Sequence, residues 1–251
     1  MATTERSPIL LGGGTGKVAS RISERLQAES IPVLVASRAG LTPDNCAHAS
    51  GVPFNWLDAA TYTNPFVHPW AMRAGGVREI FIVAPPVLDM APPMKAFIDM
   101  AVEKGVRRLV LLSASSIEEG GPAMGQIHAY LREVAADGDI EWAVLRPSWF
   151  MGERGRCEKS WWLLTFETEN LSTNERHIRS IKDEGRIYSA TDDGRIPWIS
   201  ASDIAACAAA TLTMPQAPNT DYVILGDELL SYGDVSIQPV GPRKEHENGD
   251  H

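Results

Sequence analysis

Short runs of apolar residues alternate along the chain with longer segments in which apolar residues recur every three or four positions. The runs are Ile9–Leu11, Pro32–Ala36, Glu79–Ala84, Arg107–Leu112, Trp142–Leu145 and Tyr222–Leu225. They are almost continuously apolar instead of alternating with polar residues, which is typical of strands buried on both faces. The pattern therefore predicts a parallel sheet that is covered on both sides.

The segments between the runs predict helices. Val18, Ile22 and Leu26 are spaced at i, i+4 and i+8, so they form one apolar helix face after the first strand. Ser200 and Asp203 have the spacing of a capping box, which predicts the start of another helix. Two further apolar faces consist of Met94, Phe97, Ile98, Ala101 and Val102, and of Met124, Ile127, Leu131 and Val134. Alternating strands and helices predict an α/β fold, a Rossmann-like doubly wound parallel sheet with a small C-terminal substrate-binding part.

A glycine-rich turn, LGGGTGKVA, follows the first predicted strand at residues 11–19. A triphosphate-binding loop would need Gly at position 11 and Ser or Thr at position 18, where this chain has Leu11 and Val18. Gly13, Gly16 and Ala19 instead fit the dinucleotide-binding pattern G-x-x-G-x-x-[GA]. Gly13 would permit the tight turn, and Gly16 would let the backbone approach a pyrophosphate. The residues assigned to cofactor binding in this turn are Gly13, Gly14, Thr15, Gly16 and Lys17.

The second predicted strand ends in Ser37 and Arg38, where a site that prefers NAD usually has an acidic residue for the ribose hydroxyls. A hydroxyl and a cation suit a 2′-phosphate instead, so we expect the cofactor to be NADP(H). The alternative is that the glycines form a plain turn and that Arg38 is a solvated surface charge.

Ligands of open α/β sheets bind at the carboxyl ends of the strands, so the residues after each strand are further candidates. Ser113 is a catalytic candidate on this ground. Cofactor contacts are assigned to Ala84, Pro85 and Pro147, and substrate contacts to Ser116, Trp149, Phe150 and Met151. The alternatives are that the two serines cap a turn and that the three apolar residues pack in the core.

Composition and charge narrow the classes of function. The chain has 251 residues, enough for one α/β domain, which we place at residues 1–232. Its formal net charge of −9 disfavours nucleic acid, and no apolar stretch is long enough to span a membrane. The start, MATTERSP, lacks the apolar core of a secretory signal. Its three cysteines are neither paired nor spaced as metal ligands, so we expect a cytoplasmic protein with no metal site.

Six stretches carry far more information than the glycine turn alone: LGGGTGKVAS, VRRLVLLSASSI, MGQIHAYL, EWAVLRPSWFM, GRIYSATDDGRIPWISASDIA and DYVILGDELLSY. In these stretches the chain resembles the NmrA-like atypical short-chain dehydrogenases, and within them the festuclavine and agroclavine dehydrogenases of fungal ergot alkaloid biosynthesis. The resemblance implies NADPH reduction of a cyclic iminium, formed from chanoclavine-I aldehyde, to an ergoline such as agroclavine or festuclavine. It also implies functional coupling to an upstream aldehyde-processing reductase.

Two segments depart from this family. Residues 152–168 separate Met151 from Glu169 and Asn170, which follow it directly in the family pattern. Residues 233–251 are polar and aperiodic, where the family continues with helices. Our hypothesis is that 152–168 is an anomalous insertion from an intron translated in frame, and that 233–251 is an aberrant or disordered tail after a missed splice. Glu169 and Asn170 are site candidates only if the insertion is absent.

The resemblance also bears on the chemistry. Ordinary short-chain dehydrogenases reduce carbonyls with a Tyr proton donor and a Lys four residues later, and in this chain His128 takes the Lys position and Met124 the Tyr position. Tyr130 lies two residues beyond His128 and is expected to face another side of the helix. Carbonyl reduction needs a proton, whereas hydride addition alone turns an iminium cation into a neutral amine. The missing acid therefore agrees with an iminium substrate.

His128 is the second catalytic candidate and is also assigned to the ribose of the nicotinamide. The alternative for His128 is a histidine on the helix surface. Two alternatives remain for the whole protein. One is a non-catalytic NmrA-like redox sensor that binds NADP(H) and a protein partner, and the other is an NADPH-dependent quinone or carbonyl reductase.

Overall fold

The computed structural model describes residues 6–42, 46–151, 193–231 and 234. Its first part contains β1 (Ile9–Leu11), α1 (Lys17–Ala28), β2 (Val33–Ser37), β3 (Ala49–Pro53), a 3-10 turn (Ala59–Thr61), α2 (Asn64–Val67), α3 (Pro69–Arg73), β4 (Glu79–Val83) and α4 (Ala91–Glu103). The second part contains β5 (Arg108–Leu112), α5 (Met124–Val134), β6 (Glu141–Pro147), β7 (Phe150–Met151), β8 (Ile196–Pro197), β9 (Ile199–Ser200), α6 (Ala201–Thr213), β10 (Thr220–Ile224) and β11 (Leu229–Leu230).

Seven of these strands form one parallel sheet in the order β10-β6-β5-β4-β1-β2-β3. β1 lies inside the sheet, where Leu10 pairs with Leu34 of β2 on one side and with Ile80 of β4 on the other. The chain builds the sheet outwards in both directions from this strand. Such a reversal of strand order opens a crevice at the carboxyl ends, where ligands of doubly wound sheets bind.

Alternate side chains of the strands enter two apolar layers. Leu10 and Leu109 face the layer that includes Met94 and Phe97 of α4 and Ile127 of α5. The other layer joins the opposite strand positions to α1 and α6, with Ile9, Leu11, Phe81 and Val110 packed against Val18, Ile22, Ile204 and Ala208. Helices on both faces make this a doubly wound Rossmann-like sheet, as the apolar runs predicted.

Each of the six predicted strands overlaps a strand of the sheet, but β3 was not predicted. Its sequence, ASGVP, has one large apolar residue, Val52, and ends in Pro53. β3 is an edge strand that pairs only with β2, so the sheet does not demand an apolar run there. The position of β3 is set by this pairing and not by a pattern of its own.

The predicted start of α6 is confirmed, because Oγ of Ser200 accepts a hydrogen bond from the N–H of Asp203 at 3.0 Å. Within the described ranges, every helix is too short or too polar to cross a lipid bilayer. Residues 152–168, Glu169 and Asn170 lie outside the described residues, and so does the predicted tail 233–251 apart from Asp234. Their interpretation and the extent of the domain stay predictions.

Candidate active site

The glycine-rich turn joins β1 to α1 at the carboxyl edge of the sheet. The N–H of Gly12 donates to the carbonyl of Phe81 in β4 at 2.8 Å. The N–H of Gly14 donates to the carbonyl of Ala36 in β2 at 3.0 Å. Gly13, between them, has a φ of +62°, in the left-handed region that favours glycine. The turn is therefore fastened to both neighbours of β1, where the strand order reverses.

Two glycines of this turn have no room for a side chain. A Cβ at Gly14 would lie 2.3 Å from Cγ1 of Val35, and a Cβ at Gly12 would lie 2.9 Å from the carbonyl oxygen of Phe81. The turn packs so closely on β2 and β4 that its backbone can face a ligand directly, as a bound pyrophosphate requires. The glycine spacing predicted close approach at Gly16 and did not predict the packing at Gly12 and Gly14, for which the three consecutive glycines were the available signal.

The first turn of α1 offers donors to an anion. Gly16 is its N-terminal cap, no side chain caps it, and no acidic residue lies in its first turn. Backbone N–H groups and the positive end of the helix dipole suit a phosphate at this place. Thr15 is exposed beside it, and Lys17 is the first helical residue. Together with the close-packed turn, these residues could hold the pyrophosphate of a dinucleotide.

Ser37 and Arg38 follow at the end of β2. Oγ of Ser37 accepts a hydrogen bond from the N–H of Gly40 at 3.0 Å, so this hydroxyl shapes the turn after the strand. The side chain of Arg38 is exposed. Because the glycine turn is bonded to Ala36, only two residues before Arg38, the guanidinium belongs to the same edge as the turn. It could pair with a phosphate on the ribose next to the pyrophosphate.

The candidates after β4 and β5 differ in burial. Ala84 is partly buried and Pro85 is buried directly after β4. Ser113 is 1% exposed at the end of β5. Ser116, three residues later, is exposed and therefore accessible to a ligand.

Helix α5 turns Met124 and His128 inward. Met124 is 6% exposed and His128 is 2% exposed, so the alternative of a helix-surface histidine is wrong. Tyr130 faces α4, as expected, where its hydroxyl donates to Asp99 and Nζ of Lys95 lies 4.6 Å from its ring centre. Burial and the bond to Asp99 raise the pKa of Tyr130 to about 12. Neither Met124 nor Tyr130 supplies a proton donor at the position where ordinary short-chain dehydrogenases have one.

His128 is a neutral group inside the molecule. Its ring centre lies 5.6 Å from that of Trp142 on β6. Burial lowers the pKa of His128, the carboxylates of Asp221 and Glu119 oppose this effect, and the guanidinium groups of Arg146 and Arg132 add to it. The imidazole is therefore uncharged near neutral pH and can both donate and accept a hydrogen bond.

Several buried polar atoms have no hydrogen-bond partner among the described residues. They are Oγ of Ser113, both ring nitrogens of His128 and Nε of Arg146. Buried polar atoms normally find partners, since an unmade hydrogen bond costs about 1–3 kcal/mol. These atoms belong to α5 and to residues at the carboxyl ends of β5 and β6, the elements that carry the other candidate site residues.

The lowered pKa of His128 predicts a dependence of stability on pH. Above pH 6.5 the imidazole is neutral in both the folded and the unfolded chain. Below pH 6.5 the imidazole binds a proton in the unfolded chain but not in the folded chain. The free energy of unfolding therefore falls by up to about 1.4 kcal/mol per pH unit. Urea unfolding should show that, between about pH 7 and pH 5, the free energy of unfolding of His128→Gln decreases less than that of the unchanged protein. His48→Gln, at an exposed position, is the control for replacing a histidine elsewhere in the chain.

The segment after β6 presents one large exposed side chain. Pro147 is buried, whereas Trp149 is 44% exposed and packs edge-on against Trp198, with ring centres 5.9 Å apart. Phe150 is partly buried against the layer of α1 and α6. Met151 ends β7, and its side chain lies outside the described structure. Trp149 is therefore the member of this group that is most open to a ligand.

The carboxyl edge of the sheet thus brings together residues that are far apart in the sequence. The glycine turn follows β1, Ser37 and Arg38 end β2, and Ala84 and Pro85 follow β4. Ser113, Ser116 and Trp149 follow β5 and β6 at the same edge. Sequence reasoning missed Arg146, a buried cation at the end of β6; the signal was a charge inside an otherwise apolar strand.

Two proteins of fungal alkaloid metabolism are similar to this chain over most of its length. The agroclavine dehydrogenase of Claviceps fusiformis is 43% identical over 229 residues, which cover 91% of this chain and 71% of that protein. Festuclavine synthase II of Penicillium roqueforti is 43% identical over 228 residues, with the same coverage of both chains. No protein-family model matches the sequence.

A solved structure with the same fold is the triphenylmethane reductase of a Citrobacter species, in complex with NADP(H). Its TM-score is 0.61 at 15% identity, over 90% of this chain and 72% of that chain. Fold, glycine turn and relatives together define a Rossmann-fold oxidoreductase with a nicotinamide cofactor. Within that class, the chain belongs to the family of agroclavine dehydrogenases and festuclavine synthases.

Proposed function

We propose that this protein uses NADPH to reduce a cyclic iminium derived from chanoclavine-I aldehyde, giving an ergoline such as agroclavine or festuclavine. Membership of the family supports the class of product. The observation that carries the proposal is on α5, where the buried Met124 occupies the position of the usual proton donor. A substrate that needs no proton fits such a site.

The bound nicotinamide would supply a hydride, which adds to the iminium carbon while the electron pair of the C=N bond moves onto nitrogen. The cation becomes a neutral amine, and no proton enters the balance. A carbonyl would instead leave an alkoxide that the site has to neutralise. The neutral His128 and the fully engaged Tyr130 are poorly suited to that task, which supports the iminium over a ketone or aldehyde.

The residues of the chain would then bind and orient the two reactants. The glycine turn and the first turn of α1 would hold the pyrophosphate, while Ser116 and the exposed Trp149 would line the space for the substrate. Trp149 offers an aromatic surface to an indole ring system and to a cation. Holding hydride donor and acceptor close is the main contribution that such a site can make.

A preference for NADPH over NADH is expected to depend on Arg38. Arg38→Ala should weaken NADPH binding about tenfold or more and leave NADH binding unchanged, because a charge-assisted hydrogen bond to the 2′-phosphate contributes about 1.5–3 kcal/mol. Fluorescence titration with both cofactors measures this. Arg107→Ala is a matched control, since Arg107 is an exposed arginine at the opposite edge of the sheet. Equal losses for both cofactors would contradict the assignment of Arg38.

The proposed reaction is tested by mixing the protein with NADPH and the iminium, then following NADPH absorbance and the amine product. We expect consumption of NADPH that depends on the iminium and matches the amine formed one to one. Binding of NADPH without consumption would overturn the proposal in favour of a redox sensor. Rapid oxidation of NADPH by simple quinones or aldehydes, with indifference to the iminium, would overturn it in favour of a quinone or carbonyl reductase.

We also propose a cytoplasmic setting in which an upstream aldehyde-processing reductase supplies the iminium. Cys46 and Cys207 are free thiols, which supports a reducing compartment. An iminium hydrolyses in water, so coupling to the enzyme that generates it would protect the substrate. Iminium that the upstream reductase forms in the same mixture should therefore be converted to product faster than an equal amount of iminium that is prepared separately and added.

A further inference from the structure

Arg146 is a buried arginine near the carboxyl end of β6, where it is 6% exposed. Its Nη1 donates to Oδ2 of Asp221 in β10 at 2.7 Å. Its Nη2 donates to the carbonyl of Ser115 at 3.1 Å and to Oε1 of Glu118 at 2.5 Å. One guanidinium thus joins the edge strand of the sheet to the loop that follows β5.

The loop that Arg146 holds, residues 113–118, carries two of the candidate site residues. Its start is fixed by backbone bonds to β6, from the N–H of Ser113 to Leu145 at 2.8 Å and from the N–H of Ser115 to Pro147 at 2.9 Å. Beyond Ser115 these backbone bonds to β6 end. Arg146 then holds the loop at Ser115 and again at Glu118, on either side of the exposed Ser116.

We propose that Arg146 is a positioning residue that sets the place of Ser116 relative to the bound nicotinamide and substrate. The inference rests on the proposed function for the identity of the substrate. Arg146 would contact neither reactant, because its bonds go to Asp221, Ser115 and Glu118. It acts through the loop, so its loss should affect the rate of hydride transfer more than the affinity for the cofactor.

The chemistry of the contacts explains why an arginine is needed. A planar guanidinium can hold Asp221 with one nitrogen and the loop with another, whereas an ammonium group cannot span these acceptors. The bond to Arg146 lowers the pKa of Asp221, so the pair stays charged at neutral pH. Asp221 pairs with Val144, two residues before Arg146, so the two side chains form a diagonal pair on the same face of the sheet.

The test compares Arg146→Lys with Arg132→Lys. Arg132 forms an ion pair with Glu119 at 3.2 Å, next to the same loop, but its side chain is 67% exposed. Arg132→Lys therefore controls for the loss of an arginine that lies beside the loop without being buried. The measurements are the NADPH affinity, the emission of bound NADPH, kcat and KM for the iminium, and thermal unfolding. For Arg146→Lys we expect kcat to fall about tenfold to a hundredfold with little change in NADPH affinity, because a small misplacement of the reactants slows hydride transfer by this much. Arg132→Lys should match the unchanged protein in every measurement.

A kcat for Arg146→Lys that stays within about twofold of the unchanged protein would overturn the inference. A parallel fall of kcat, NADPH affinity and unfolding temperature would overturn it too, since it would show a structural role alone. If Arg146→Lys does not fold, Glu118→Ala takes its place. Its side chain is 77% exposed, so the fold should survive the loss of this contact. Because the bond from Arg146 to Ser115 remains, a smaller but equally selective fall in kcat, about threefold to tenfold, is expected.

Failure of the proposed function gives a different result from failure of this inference. If the unchanged protein binds NADPH but does not reduce the iminium, the substrate assignment fails. The emission of bound NADPH, which depends on the surroundings of the nicotinamide, then decides the role of Arg146. A changed emission for Arg146→Lys, with none for Arg132→Lys, supports the positioning role, and identical emission for all three proteins contradicts it.

Discussion

Replacing Gly14 with alanine is expected to weaken NADPH binding at least about a hundredfold, a loss of roughly 2.7 kcal/mol. The added Cβ would lie 2.3 Å from Cγ1 of Val35 and 3.1 Å from the backbone N and O of Ala36. Val35 can turn its side chain, but the backbone of β2 cannot yield without disturbing the sheet. The glycine turn must therefore move outwards, into the space that the pyrophosphate needs.

Fluorescence titration with NADPH measures this loss, and two further variants sharpen it. Val35→Ala in the Gly14→Ala background removes Cγ1 and should restore part of the affinity. Gly138→Ala is the control: Gly138 has a φ of +81° with nothing within 4 Å of an added Cβ. It should cost about 1–2 kcal/mol of stability without changing NADPH affinity. Tight NADPH binding by Gly14→Ala would contradict our account of the turn.

Arg108→Met is expected to lower the free energy of unfolding by about 3 kcal/mol, near the low end of the range for breaking a buried ion pair. Arg108 is 6% exposed at the start of β5. Its Nη1 donates to the carbonyls of Thr211, Leu212 and Met214, at the end of α6, at 3.1, 3.1 and 2.7 Å. Its Nε donates to Oε2 of Glu141 at 2.7 Å. The variant would leave these acceptors without their donor.

Urea unfolding measures the effect of Arg108→Met, with Glu141→Gln and Arg132→Gln for comparison. Glu141→Gln keeps an acceptor for Arg108 and should cost only about 1 kcal/mol. Arg132→Gln breaks an exposed pair and should cost less than about 0.5 kcal/mol. Because Arg108 lies at the amino edge of the sheet, NADPH affinity should not change in the folded fraction. A cost below about 1 kcal/mol for Arg108→Met would show that water replaces its bonds.

The parts of the fold that the sequence predicted are those in which one strand or helix carries its own pattern. β4 and β5 are buried on both faces, so their residues are apolar regardless of their neighbours. The edge strand β3 and the short helices α2 and α3 lack such a pattern, because pairing and packing with distant residues place them. A pattern within one segment cannot report on contacts of that kind.

The candidate site also contains features that the sequence predicted and features that it did not. The glycine turn was predicted because the spacing of its glycines reflects the backbone conformation of that one segment. The role of Arg146 was not, because its partners Glu118 and Asp221 lie 28 and 75 residues away in the sequence. The assignment of His128 to the Lys position of related dehydrogenases stays a prediction. Its burial depends on how α5 packs on Trp142, which a resemblance in sequence does not report.

The position of β10 at the edge of the sheet has a consequence for the order of assembly. A single helix joins β4 to β5 and another joins β5 to β6, whereas residues 148–219 lie between β6 and β10. Closing so long a loop is slow, so β10 is expected to dock after the centre of the sheet has formed. Until β10 docks, Arg146 lacks its partner Asp221. Docking of β10 then supplies the second carboxylate to a guanidinium that the neighbouring strands already bury. A chain that ends before β10 would thus keep Arg146 without one of its two acidic partners.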